Sequence, residues 1–196
     1  MQKNYRFIYP AIVCLLFLLP TGAFAHTGIL TTVGFANGFH HPIGGFDHLL
    51  AMVAVGLWAA QLGGRSLWIV PGTFVTVMIG GGILGLSGVG IPFIEQGILL
   101  SVLIMGILIA GTFRFSTTVN VLIVGLFALF HGHAHGAEMP LMAGAMSYCS
   151  GFILATLGLH AIGIGVGAGL QKFKAPQIQR FAGGAIALSA ICLAVI

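Results

Sequence analysis

Charge is what this sequence has least of. Charged residues make up 5% of its 196 positions, and three of those are acidic. A soluble domain carries about 25% charged residues, so that class is excluded and an integral membrane protein is expected. The phosphate-cradling run GxxxxGK[ST] is absent, which leaves the chain without an ATP-hydrolysing module of its own. So is the zinc-protease motif HExxH. The stretch "GIGVGAG" (163–169) resembles a dinucleotide fingerprint only superficially: it lies inside an apolar run, not after a strand, and close helix packing explains it better. Cysteine is scarce as well. Cys14 sits near the N-terminus, and Cys149 and Cys192 lie within apolar runs, where cysteine acts as a small hydrophobe. That excludes a disulfide framework. The basic residues are scattered singly, so no patch suits nucleic acid.

What fills the chain is apolar surface and glycine. The hydrophobic fraction is 58% with 31 glycines, and the mean hydropathy is +1.11. Small residues let membrane helices approach closely. Residues 1–25 read as a cleaved signal peptide: Lys3 and Arg6 begin it, "IYPAIVCLLFLL" continues it, and "AFA" at 23–25 offers a small-residue cleavage site. An uncleaved helix is the alternative, but Pro20 and Gly22 break the run just before that site. Cleavage leaves His26 at the new N-terminus, where imidazole and amine together can chelate a metal or the histidine is incidental. Residues 26–196 then form one all-α domain of six transmembrane helices, at roughly 20 apolar residues each: about 43–62, 67–87, 91–111, 117–135, 141–170 and 179–196. The fifth exceeds one straight crossing, so it tilts, breaks or continues past the bilayer.

Lysine and arginine mark the cytoplasmic side. Arg65, Arg114, Lys172, Lys174 and Arg180 all fall in loops on one side of this arrangement. The expected location is the bacterial inner membrane, with both mature termini outside. Two clusters then lie at the outer ends of spans: "FHHPIGGFDHLLAM" (39–52) and "FHGHAHGAEMP" (130–140). They hold six of the eight histidines and two of the three acidic residues.

Ionisable side chains at membrane depth are costly and face a cavity, a partner or a pathway. Residues three, four and seven apart share a helical face, which groups His41, His48 and Met52, and more cleanly His131, His135 and Glu138. His133 points roughly 200° from His131 at 100° per residue, away from that face. Imidazole suits nickel, copper, zinc and iron, and thioether sulfur adds affinity for softer ions. Asp47 is either a direct oxygen ligand or an acceptor that orients a neighbouring imidazole. His40 and Glu95 also belong to the outer end, Glu95 as a pathway carboxylate or a headgroup-level residue. His160 stands alone in span five, as a packed histidine or a pathway ligand. Met139, Met142, Met146 and Cys149 form a sulfur stripe, expected as core packing more than as a soft-metal track.

These residues carry a resemblance. "HPIGGFDHLLAM" resembles the HPxxGxDHxxxM signature of the HupE/UreJ family at His41, Pro42, Gly45, Asp47, His48 and Met52. "FHGHAHGAE" resembles its second signature at His131, Gly132, His135, Gly136 and Glu138. The likeness extends to the signal, the six spans and nearly the whole chain. It implies a nickel or cobalt permease that supplies hydrogenase or urease maturation, not an enzyme. The first signature is also similar to the HxxxxDH motif of larger nickel–cobalt transporters. Here, however, five residues separate His41 from Asp47, so ligand geometry does not carry over. The expectation is a secondary transporter with no permanently bound cofactor, whose partners are the metal ion and the bilayer. Copper or zinc through the same site, and a membrane metal-dependent hydrolase, are the alternatives. A hydrolase requires one open metal position and a lipid-sized cleft; a transporter requires polar groups that continue inward.

Overall fold

The computed structural model describes residues 34–139 and 144–195. Seven helices account for nearly all of them: α1 Phe35–Gly44, α2 Phe46–Leu62, α3 Ser66–Leu86, α4 Ile94–Ala110, α5 Thr117–Ala137, α6 Ala145–Lys172 and α7 Pro176–Leu193. The signal peptide, His26 and Met142 lie outside the described residues. α3, α5 and α6 are each long and apolar enough to cross a membrane, and α1 with α2 qualify as a bent pair. α4 is a shorter apolar helix, and α7 opens on Pro176 with Gln177, Gln179 and Arg180 in its first turns.

The first expected span, 43–62, is corrected. The helix begins at Phe46, and a separate helix α1 precedes it at an angle of 85°. Gly45 adopts an extended conformation between them, so the backbone hydrogen-bond ladder stops there. His41 therefore does not share a helical face with His48 and Met52. The fifth span does not break: α6 runs 28 residues without interruption.

Packing follows the glycines. α3 pairs most extensively with α5, α2 with α6, and α4 with α7. A Cβ on Gly132 would run into the carbonyl of Met78, and one on Gly136 into that of Gly82. The α3–α5 backbones thus lie in direct contact, as small residues in membrane helices permit. Gly56 and Gly163 serve α2 and α6 in the same way, against the carbonyls of His160 and Val53. Large apolar side chains such as Trp68, Ile83, Leu122 and Phe181 remain exposed around the bundle, a continuous greasy surface of the kind a bilayer covers.

The two ends differ in chemistry. At one, every described lysine and arginine lies in or beside the loops after α2, α4 and α6. There polar side chains donate to backbone carbonyls near the ends of α2 and α4, and so satisfy carbonyls that the helices themselves leave over or share. Gln61 Nε2 donates to Ile109 O at 3.1 Å, Arg114 to Gln61 O at 2.8 Å, Gln171 to Ala60 O at 2.7 Å and Gln179 to Leu57 O at 3.1 Å. This end is stitched closed. The histidines gather at the other.

Candidate metal-capture site

The histidine-rich end is built by the start of α2, the end of α5, the start of α6 and α1 folded against them. Asp47 and His48 open α2. The carboxylate of Asp47 accepts from His48 Nδ1 at 2.7 Å and from the His48 backbone N–H at 2.8 Å. A Cβ at Gly45 would lie 3.0 Å from His48 Nδ1 and 3.1 Å from Asp47 Oδ1. Glycine there leaves room for the pair. Because a carboxylate only accepts, His48 carries its proton on Nδ1 and directs the lone pair of Nε2 inward. That nitrogen is buried and has no hydrogen-bond partner among the described residues.

α5 presents two more imidazoles. His131 and His135 are one turn apart, both buried, on a face about 100° round the helix from the glycines that press against α3. Ser101 on α4 donates its single hydroxyl proton to Ile98 O at 2.6 Å. Its 2.8 Å contact with His131 Nε2 must therefore be an N–H donated by the imidazole. His131 Nδ1 is left with a lone pair and no partner. Neither ring nitrogen of His135 has one.

One ligand atom from each of His48, His131 and His135 can be chosen so that all lie within 4.8 Å of one another. A second triad, His41, His135 and Glu138, meets the same limit and shares His135. His41 Nε2 lies 3.8 Å from Glu138 Oε2, and its ring centroid 4.7 Å from that of His135. Exposure falls along the chain of ligands, from 38% for the Glu138 side chain and 27% for His41 to 14% for His48. A partly exposed carboxylate and imidazole thus adjoin a largely buried cluster of three imidazoles. An ion bound at about 2.0–2.1 Å from each imidazole would draw the inner three slightly together.

The remaining candidates stand apart. His133 Nε2 donates to Val89 O at 2.6 Å and ties α5 to the loop after α3. His40 is exposed, with its ring edge-on to Phe39. Glu95 is exposed in the first turn of α4 and belongs to neither triad. Met52 is fully buried, and its sulfur accepts from Thr156 Oγ1 at 3.4 Å. His160 is buried deeper in α6. The sulfur stripe does not pack as core: Met146 is 85% exposed and Cys149 is exposed. Met139 and Cys149 instead line an apolar groove between α3, α5 and α6 that reaches His135.

Ser101, Tyr148 and Phe152 were not legible as site residues. Ser101 sits in an apolar run with no neighbouring motif, and the two aromatics that pack on His41 look like ordinary span residues. The pairing of Asp47 with His48 had a signal, their adjacency.

Comparison with known proteins agrees over almost the entire chain. Residues 14–193 match the family model described as HupE / UreJ protein. Protein HupE of Rhizobium leguminosarum bv. viciae is 49% identical over 178 residues, 90% of this chain and 92% of that protein. No solved structure matches. With both signatures in place and nearly every residue covered, the chain belongs to the HupE/UreJ family.

Proposed function

We propose that this protein is a secondary transporter that takes up a divalent transition metal, nickel or cobalt, across the bacterial inner membrane for metalloenzyme maturation. One observation carries the reading: His48, His131 and His135 bring ligand atoms within 4.8 Å of one another, and each keeps a buried ring nitrogen with no hydrogen-bond partner among the described residues. Buried polar atoms are ordinarily paired. Three such nitrogens together are a ligand set waiting for a cation. Imidazole favours nickel, cobalt, copper and zinc over magnesium or calcium.

In this reading the helices α2 to α7 are six crossings, with the signal peptide removed and both mature termini outside. The basic loops then face the cytoplasm, and the histidine end faces out. Glu138 and His41 meet the hydrated ion first. His135, common to both triads, passes it to His48 and His131. Asp47 and Ser101 act from behind, holding two imidazoles in the tautomer that ligates, a role such partners commonly play. A membrane potential of 100 mV, negative inside, contributes about 4.6 kcal/mol to the entry of a divalent ion, twice the value per unit charge.

The pairing of α2 with α6 and α3 with α5 is preserved when α2–α4 are exchanged with α5–α7, and α4 with α7 maps onto itself. That supports two halves of opposite orientation. The histidine clusters are not a trace of that relation, since it would set them at opposite ends.

A hydrolase reading has one observation in its favour: three imidazoles leave a coordination position open beside an apolar groove. Metal flux into proteoliposomes separates the two. Nickel and cobalt influx, compared with copper and zinc and with and without a pH gradient, is expected for the transporter. A protein that binds metal tightly but moves none would support the hydrolase.

A further inference from the structure

Phe74 on α3 packs against two imidazoles. Its ring centroid is 5.7 Å from that of His131 and 5.1 Å from that of His160, the latter edge-on at 88°. His131 belongs to the capture site, whereas His160 is on α6, four turns from the helix start. The two imidazole centroids are therefore no farther apart than those two spans combined, and both rings contact the same phenyl ring.

His160 is 1% exposed, and neither of its ring nitrogens has a hydrogen-bond partner among the described residues. A neutral imidazole has both a donor and an acceptor to satisfy, and a buried histidine kept for packing normally satisfies at least one of them. This one satisfies none. Its surroundings are soft as well as apolar. His48, Met52 and Gly56 follow one another at spacings of four on α2, as Phe152, Thr156 and His160 do on α6. Phe152 packs on His135 with centroids 4.3 Å apart, Thr156 donates to the Met52 sulfur, and Gly56 receives the His160 backbone. The two rows face each other and run inward from the capture site.

We infer that His160 is a second, inner binding position for the transported metal ion, reached past the Met52 thioether, and that the Phe74 ring is the barrier between the two positions. The inference rests on the transport reading and deepens it. A pathway ligand must bind well enough to accept an ion yet weakly enough to release it. One imidazole at mid-depth, below a site of three, has that property. It also offers a ligand where an ion faces the largest desolvation cost.

Two measurements on the full-length protein test this. In proteoliposomes, His160→Ala should lower nickel(II) influx about 10-fold or more while equilibrium nickel(II) binding at the capture site stays within about twofold. His160→Cys restores a metal ligand without restoring the imidazole's shape. It should recover part of the flux and shift preference toward softer ions. Separately, a protein carrying His48→Ala and His135→Ala should retain a weak cobalt(II) absorption band that disappears when His160→Ala is added. Wild-type flux in His160→Ala, or a cobalt(II) band indifferent to His160, overturns the inner position. If the band behaves as expected but the unaltered protein moves no metal, the transport reading fails instead.

Discussion

His131 donates Nε2–H to the hydroxyl of Ser101 across 2.8 Å, between side chains 30 positions apart on α5 and α4. The bond selects which nitrogen of His131 keeps a lone pair, and so which one can hold a metal. Removing it should free the ring to rotate and to change tautomer. Ser101→Ala is expected to weaken nickel(II) binding about 10- to 100-fold, as measured by competition with a chromophoric chelator. Unchanged affinity would mean that packing alone fixes the ring.

Asp47 faces His48, not the centre of the triad. An amide oxygen can accept the same Nδ1–H, so Asp47→Asn should hold metal affinity within about 10-fold. Asp47→Ala should lose considerably more and abolish uptake while the protein remains in the membrane. Equal, complete loss in both variants would point to a direct oxygen ligand.

Within α5 the histidines are not equivalent. His131→Ala and His135→Ala should each cost far more transport than His133→Ala, whose imidazole is committed to Val89 O. Of the three, His135 should be the most damaging, because both triads share it. An essential His133 with a dispensable His135 would overturn this geometry.

The glycines of the second signature carry the close contact with α3. Gly132→Ala or Gly136→Ala must push two backbones apart, an overpacking that costs about 1–3 kcal/mol. Gly165→Ala, with nothing near the added methyl, should be neutral. Thermal unfolding in detergent compares them directly, and equal midpoints in all three variants would refute the packing argument.

Reporter fusions at Gly64, Arg114 and Lys174 should all report cytoplasm. One exported reporter among them would break the six-crossing arrangement.

The helices themselves were legible because their cause is local. Apolar runs of near-membrane length, punctuated by Gly63–Gly64, Gly88 and Pro176, place α3 to α7 within a few residues of their observed bounds. α1 was missed because Pro42, Gly44 and Gly45 look like the ragged start of one helix. Their combined effect, a helix that stops and turns by 85°, depends on α6 being there to receive it. The sulfur stripe misled for a related reason: helical spacing identifies a face but not what that face meets, and Met146 is 85% exposed among the described residues.

Composition and spacing alone pointed to apolar helices of membrane-crossing length, two histidine clusters at one end, and a shared face for His131 and His135. Those properties follow from transfer energies and from the helical repeat, which are set residue by residue. Which imidazoles meet was decided only by tertiary structure. Asp47 acts on its neighbour, but Ser101 comes from α4, His41 arrives through the turn at Gly45, and Phe74 of α3 meets both His131 of α5 and His160 of α6. Each of these depends on how closely glycine-lined backbones pack, a distance that no single helix's periodicity contains.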